Sequence, residues 1–497
     1  MKFRIIAAIA ASALSLCACD SVLKEEVFSQ MDPDKMFSTE VGVQRILFSA
    51  YDFAAINGNF GGNIQFQEEW VCDQFWETGG AVNQQYMPMS QFTFTSSYPD
   101  HWTTLWNRFY KAVRDANIVL ENLADSPLAD DVKKLYEAEA RFIRASVYYK
   151  GCTLWGGMIL RTSTQDPSDT PRSTAEETYK FVEEEMLAAA EALPKDSGSS
   201  SYEYGRATKG AAYAYLCKLY LNTKQWQKCA DMADKIFALG KYELWPNYST
   251  LFKVENEMTN KEFIWVYPCS SKGTGNEMMC GAYPGSFASC KLGTEQETVV
   301  FLDNMRNWAR MDRLWDSFYD SFDPADQRRT LIISEYVNTA GKTIQLHGDN
   351  NCRSFKYWPD VNANGNPSNN DIPVFRLADI ILAKAEALNE IKGPNQETLD
   401  LIQQVRNRAG LTTPLSLSAY PTKEALRHRI MDERGWELYG ECMRRQDLIR
   451  EGTFLQVAQA RLDRQYQSKL VLTEQHLLFP IPQTEVDASG VQQNPGW

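Results

Sequence analysis

Side chains that could carry catalysis are present, but they form no recognisable catalytic set. The four histidines stand apart in the sequence, at His101, His347, His428 and His476. No His-Glu-x-x-His metal motif and no Gly-x-Ser-x-Gly nucleophile elbow occurs. The Gly-Lys-Thr step at 341–343 would end a phosphate-binding loop, but the first glycine of such a loop falls at Tyr336. These motifs therefore neither argue for an enzyme nor exclude one.

One loop has the residue pattern of a calcium site. Its oxygen-bearing side chains stand at loop positions 1, 3, 5 and 12, with glycine at position 6: Asp360, Asn362, Asn364, Asp371 and Gly365. Position 12 is Asp where the longer bidentate Glu is usual, and Pro359 and Pro373 exclude immediately flanking helices. We favour an Asn-rich surface turn, keep the four side chains as candidate Ca²⁺ ligands, and expect no cofactor to be required.

The N-terminus resembles a bacterial lipoprotein signal. Residues 1–4 are a short basic head, and residues 5–16 are an apolar run too short to cross a bilayer, which takes about 20 residues. Leu-Cys-Ala-Cys at 16–19 then resembles a lipobox, in which the cysteine is acylated and everything before it is removed. We predict a signal peptide over 1–18 and lipidation at Cys19, which a small residue precedes. An ordinary secretory signal is the alternative.

Composition and charge exclude some classes of protein. Hydrophobic residues make up 44% and charged residues 23% of the 497 residues, as in ordinary globular proteins. The 51 basic and 64 acidic residues give a net charge of −13, which argues against a nucleic-acid-binding protein. Aromatic residues make up 12%, which suits surfaces that stack on flat ligands.

Helical periodicity dominates the chain outside two loop-rich stretches. Apolar residues at alternating three- and four-residue steps predict helices over 130–152, 208–219, 226–237, 377–391 and 397–409. The last four form two pairs with short turns, which are similar to tetratricopeptide units that must stack to bury their faces. Residues 58–100 and 267–372 are rich in Gly, Asn, Pro and aromatics, and we predict loops and short strands there.

Four sequence motifs occur in the order found in one family. They are Glu-Ala-Arg-Phe-Ile-Arg-Ala at 139–145, Arg-Ala-Thr-Lys-Gly-Ala-Ala at 206–212, the Glu-Arg…Glu-Leu…Arg-x-Asp-Leu-x-Arg pattern at 433–450, and Phe-Pro-Ile-Pro at 479–482. With the lipobox they cover essentially the whole chain, although Cys442 stands where glycine is common. The sequence thus resembles the SusD/RagB family of outer-membrane nutrient-binding lipoproteins.

The resemblance implies a fold, a location and a function. The fold would be mainly α, with tetratricopeptide-like helix pairs as a scaffold and loop-rich, short-strand insertions as the ligand face. A single domain would span 19–497, with the scaffold at about 37–57, 101–240 and 373–450, and the ligand face at about 58–100 and 267–372. The protein would be lipid-anchored in a Bacteroidota outer membrane, facing outward, as a lid on a SusC-like TonB-dependent transporter. It would capture oligosaccharides without being an enzyme. Capture of peptides, as in the RagB-like branch, a lipid-anchored glycoside hydrolase and a scaffold that binds only protein are the alternatives.

Sugar rings have flat C–H faces on which aromatic side chains stack, while polar neighbours bond to the hydroxyls. Candidates are therefore aromatics on irregular segments, with polar residues beside them. We predict ligand contacts at Trp76, Tyr86, Tyr283, Trp308, Asp73 and Asn83. The charged residues of the C-terminal motif should instead pair on neighbouring helical turns and hold the C-terminal helix: Glu433, Glu437, Arg444 and Asp447.

Overall fold

Helices make up most of the structure, a computed structural model. It describes residues 36–55, 68–77, 83–98, 101–199, 202–307 and 312–497. The α-helices in these ranges are α1 Glu40–Ala54, α2 Asn83–Gln91, α3 His101–Asn122, α4 Asp130–Trp155, α5 Ala175–Ala192, α6 Lys209–Asn222, α7 Trp226–Ala238, α8 Met278–Ala282, α9 Asp316–Ser321, α10 Leu377–Lys392, α11 Gln396–Arg408, α12 Lys423–Leu438, α13 Arg444–Glu451, α14 Phe454–Tyr466 and α15 Gln483–Ser489. The predicted mainly α fold is confirmed.

Local sequence signals set where the longest helices begin and end. The apolar stripe of α4 is buried, and the helix stops at Gly156, whose φ of 75° most residues avoid. Helix α5 begins at a capping box, in which the Thr174 side chain accepts from the Glu177 backbone N–H and the Glu177 carboxylate bonds back to Thr174. These signals act within a few residues, so the sequence predicts them well.

Consecutive helices of the scaffold pack against one another. Contacts join α3 with α4, α4 with α5, α5 with α6 and α6 with α7. The predicted pairs are present: α10 and α11 lie within one residue of the predicted 377–391 and 397–409, and Gly393 ends α10 with a φ of 76°. Helix α7 also packs on α10, so the two predicted helix pairs stack on each other.

Short antiparallel strands occur mainly between α7 and α10. They are β1 Phe75–Glu77, β2 Phe263–Tyr267, β3 Phe287–Leu292, β4 Glu297–Val300, β5 Asp312–Leu314, β6 Ile332–Ile333, β7 Glu335–Asn338, β8 Thr343–Gln345, β9 Arg353–Ser354 and β10 Ile372–Arg376. One sheet has the order β4-β3-β7-β8, and the other strands form the pairs β1 with β5, β2 with β10 and β6 with β9. The pair of β1 with β5 joins the two loop-rich stretches.

A buried network of opposite charges ties α12 to several other elements. The Glu437 carboxylate accepts hydrogen bonds from Arg376 at the end of β10, from Arg408 at the end of α11 and from Arg328. Arg376 also donates to Glu262 at 2.7 Å. The sequence predicts pairing along neighbouring helical turns, but the partners of Glu437 come from distant parts of the chain. Tertiary packing, which helical spacing does not encode, therefore decides these ion pairs.

Candidate ligand-binding site

Strands β1 and β5 bring two tryptophans together. Trp76 lies opposite Arg313 in the antiparallel ladder, and Trp315 follows directly after β5. The indole rings stack, with centroids 5.1 Å apart and planes 21° from parallel. Trp76 is 8% exposed and Trp315 is 1% exposed. The predicted contact residue Trp76 therefore belongs to an aromatic pair that bridges both loop-rich stretches.

Hydrogen bonds to the segment at 348–350 fix the orientation of this pair. The Trp76 Nε1–H donates to the Asn350 carbonyl oxygen at 2.8 Å, and the Asn350 amide oxygen accepts the Asp316 backbone N–H at 3.1 Å. The Asp316 carboxylate in turn accepts the backbone N–H groups of Gly348 and Asn350, each at 2.9 Å. The rings cover each other and are nearly buried, so a ligand would meet the edge of a pair that is already held in place.

Two guanidinium groups lie over the indole rings. The Arg313 guanidinium carbon is 5.3 Å from the Trp76 ring centroid, and that of Arg464 on α14 is 5.6 Å from the Trp315 ring centroid. Both distances are within cation–π range. Arg464 is exposed and Arg313 is half-buried. Sequence reasoning missed both residues, because no spacing pattern links α14 to β5.

Glu77 is a fully buried carboxyl group beside the pair. Neither of its carboxyl oxygens has a hydrogen-bond partner among the residues that the structure describes. Burial, with the nearby Asp312 adding to it, raises the pKa of Glu77 to about 8, against the opposing charge of Arg313. The group is therefore mostly uncharged at neutral pH. Its backbone N–H donates to the Ser90 hydroxyl at 3.2 Å, which connects β1 to α2.

Asp73, a predicted ligand contact, is held by Arg444. The two side chains make a bidentate ion pair with N–O distances of 2.7 and 2.8 Å. Burial would raise the pKa of Asp73, but the charge and hydrogen bonds of Arg444 outweigh it and hold the pKa below its ordinary value. The carboxylate is about one-third exposed, which leaves an edge that can accept from a ligand hydroxyl.

Tyr283, the second predicted aromatic contact that the structure describes, is packed among other rings. It is 3% exposed, and its ring centroid lies 5.1 to 5.6 Å from those of Phe287, Phe301 and Phe355. In this arrangement the ring offers no open face to a sugar. Its contact with ligand stays a prediction.

The remaining predicted positions lie outside the described residues or side chains. Trp308 and Cys19 fall outside the described ranges, and the side chains of Tyr86 and Asn83 at the start of α2 are likewise not described. The structure therefore brings Trp76 and Asp73 to one region, between β1 and the C-terminal helices. The sequence signal that finds Trp315, an aromatic residue on an irregular segment, is the one that finds Trp76.

The loop of the candidate calcium ligands is closed by its own hydrogen bonds. The Asp360 carboxylate accepts the backbone N–H groups of Asn362 and Asn369, each at 2.9 Å, and Asp371 accepts the Cys269 N–H at 2.8 Å. Asn362 and Asn364 are exposed. No group of three or more His, Cys, Asp or Glu side chains within the described ranges is placed to hold a metal ion. The calcium site stays a prediction.

Across the residues that the structure describes, none of the helices is both long and apolar enough to cross a bilayer.

Comparison with known proteins gives consistent matches. A model described as "SusD family" matches residues 338–497, and one described as "Starch-binding associating with outer membrane" matches residues 28–221, so that together they cover more than half of the chain. A SusD-like protein of Formosa agariphila is 25% identical, over 96% of this chain and 95% of its own. The starch-binding protein SusD of Bacteroides thetaiotaomicron is 24% identical, over 75% of this chain and 74% of its own.

Solved structures share the fold. A laminarin-binding SusD-like protein superposes with a TM-score of 0.76 at 23% identity, over 93% of this chain and 100% of its own. The surface glycan-binding protein A of Bacteroides thetaiotaomicron in complex with laminarihexaose superposes with a TM-score of 0.74 at 20% identity, over 92% of this chain and 99% of its own. With the helix-pair scaffold, the strand-rich insertions and matches to both halves of the sequence, this chain belongs to the SusD/RagB family.

Proposed function

We propose that the protein is a cell-surface lipoprotein that captures oligosaccharides and delivers them to a SusC-like TonB-dependent transporter in the outer membrane. The Trp76–Trp315 pair carries this proposal. It joins the two stretches from which the sequence predicts the ligand face, and the edge of Trp76, the more exposed of the two rings, would be the aromatic contact for the C–H groups of a sugar. Relatives named for binding starch, laminarin and glycans support the same class of ligand.

The pair is suited to holding a ligand rather than transforming one. Its polar neighbours are already engaged: Asp73 by Arg444, and Asp316 by two backbone N–H groups. Both carboxylates are therefore occupied by these partners and are poorly placed to act as nucleophiles. The sequence also contains no Gly-x-Ser-x-Gly nucleophile elbow. We infer a binding protein that hands its ligand on unchanged. The absence of new reducing ends after prolonged incubation with bound glycans would support this.

The test is glycan binding by the soluble form that begins after Cys19. Calorimetric titration against a glycan panel should identify a ligand, and Trp76→Ala should weaken its affinity several-fold, since stacking contributes about 0.5–1.5 kcal/mol beyond burial. Trp76→Phe keeps an aromatic ring and should retain most of the affinity.

Trp226 supplies the matched control, because this half-buried tryptophan lies on the scaffold helix α7 and away from the β1–β5 pair. Trp226→Ala should leave glycan affinity unchanged, and thermal melting should verify that each variant is folded. If Trp76→Ala is folded and binds with full affinity, the ligand site lies elsewhere. If the panel contains no ligand while peptides bind, the protein belongs to the peptide-capturing branch.

A further inference from the structure

Three arginines around the tryptophan pair have no carboxylate partner. Arg313 and Arg464 lie over the two indole rings, and Arg461 is one turn before Arg464 on α14. Within the described ranges, none of the three forms an ion pair with an acidic side chain. Among the described residues, the buried Nε–H of Arg313 donates to no partner, and the same holds for all three side-chain nitrogens of Arg461.

Several enclosed arginines elsewhere in the described ranges pair with carboxylates. Arg376 pairs with three glutamates, Arg434 with Asp379 and Asp447, and Arg450 with Glu386 and Asp447. Pairing is expected, because an enclosed charge without a counter-charge costs several kcal/mol. The three arginines at the tryptophan pair differ from these ion-paired arginines, and an anionic ligand would supply their missing counter-charge.

Arg461 adds positive charge from beneath the exposed surface. It is 1% exposed, and its guanidinium carbon lies 5.5 Å from the Phe92 ring centroid. Burial lowers the pKa of Arg461 to about 10, so the group stays charged at neutral pH. The positive charge of Arg464 also lowers the pKa of Arg461, which indicates that the two guanidinium groups repel each other.

Four acidic groups near the pair have other partners or are partly protonated. Asp73 is neutralised by Arg444, and Asp316 is compensated by two backbone N–H groups. Burial raises the pKa of Glu77 to about 8 and that of Asp312 to about 7, so each is partly or mostly protonated at neutral pH. A chain whose net charge is −13 thus has three arginines without an ion-pair partner among the described residues beside its aromatic pair.

We propose that the ligands captured at this region are anionic oligosaccharides, whose sugars bear uronate carboxylates or sulfate esters. The sugar would lie against the edge of the indole pair, and the exposed Arg464 and half-buried Arg313 would bind the oxyanion through their planar N–H forks. Arg461 would strengthen the field without touching the ligand. The assignment rests on the proposed function and specifies the substrate class for the same site.

The experiment compares four probes of matched length: uronate-containing oligosaccharides, sulfated oligosaccharides, neutral laminari-oligosaccharides and acidic peptides. We expect one of the two anionic glycan types to bind about tenfold or more tightly than the neutral glycan, as a charge-assisted hydrogen bond allows. Its affinity should fall as the salt concentration rises from about 0.02 to about 0.5 M, because salt screens exposed charges. Comparing uronate with sulfate distinguishes the two sources of the oxyanion.

The variants Arg464→Gln and Arg313→Gln should each lower the affinity for the anionic glycan about tenfold and leave neutral-glycan binding nearly unchanged. The control Arg45→Gln removes the same charge from an exposed position on α1, which packs against α3 and α4, and should change neither affinity. Thermal melting verifies folding of every variant.

Equal binding of neutral and anionic glycans, with no effect of either arginine variant, would overturn the substrate class and leave glycan capture intact. Binding of acidic peptides but of no glycan would overturn both. If folded protein bound none of the four probes while other glycans of the panel did bind, the anionic assignment would again be wrong.

Discussion

At the scale of single residues, Glu77 shows how much the site departs from the rest of the fold. Most buried carboxylates of this protein meet arginines, whereas neither oxygen of Glu77 has a partner and burial raises its pKa to about 8. A carboxyl group whose pKa is raised on folding binds more protons in the folded state than in the unfolded chain. It therefore lowers stability as the pH rises from about 4.3, its unfolded pKa, towards 8.

The first stability prediction follows from that sign. Glu77→Gln should leave the free energy of unfolding nearly unchanged near pH 4.5 and raise it by about 1–3 kcal/mol at pH 8, because the amide never has to ionise inside the protein. Urea denaturation across that pH range measures the effect. The exposed Glu184 on α5 provides the control, since Glu184→Gln should change stability little at any pH. If the difference in unfolding free energy between Glu77→Gln and the parent did not increase with pH, the raised pKa of Glu77 would be contradicted.

Sequence reasoning predicts part of the candidate site, for a physical reason. Trp76 and Trp315 are large aromatic residues in loop-rich stretches of the sequence. Both the residue type and its surroundings can be recognised without a structure. Arg464 cannot be recognised in this way, because it lies in a helix that contains no binding motif and reaches Trp315 only through tertiary packing. The partners of Glu437 were missed for the same reason: each comes from another element.

At the scale of elements, the loop from Asp360 to Asp371 allows two interpretations with different consequences. As a turn, it is held by the bonds from the Asn362 and Asn369 backbone N–H groups to Asp360. As a calcium loop, it would gain stability from the ion, because a ligand that binds only the folded state adds RT ln(1 + [L]/Kd).

We expect the turn. A chelator should leave the melting temperature unchanged, and Asp360→Ala should lower it equally with and without calcium, because the hydrogen bonds of the turn are lost in both cases. Differential scanning calorimetry of the parent and the variant, each with chelator or with added Ca²⁺, decides the question. A melting temperature that falls on chelation in the parent but not in Asp360→Ala would establish the calcium site instead.

Helix boundaries are predictable where local signals are strong. Helices α10 and α11 lie within one residue of the prediction, because an apolar stripe and the Gly393 break mark them. Helix α14 lies beyond the predicted scaffold, which ends at about 450. The strands, of two to six residues, are less predictable individually because each depends on a partner far along the chain.

At the scale of the whole molecule, the predicted lipid anchor and the folded domain should be separable. The anchor belongs to Cys19, whereas every buried cluster of the described residues begins at Phe37 or later. Cys19→Ala should therefore move the protein out of the membrane fraction without changing its melting temperature. Cell fractionation in a strain without the partner transporter measures this, with Cys17→Ala as the matched control. Membrane retention of Cys19→Ala in that strain would argue against the lipoprotein assignment.

The segment that carries Trp76 is held by residues that are synthesised much later. Gln74 donates to the Gly435 carbonyl, Asp73 accepts from Arg444, and Glu69 accepts from the Cys442 N–H, which close chain separations of 361, 371 and 373 residues. Contacts of such high contact order form slowly, because the entropy of closing a long loop is lost before they form. The ligand site is thus among the last parts of the protein to mature, and a chain interrupted before residue 435 would carry the aromatic residues without the support that orients them.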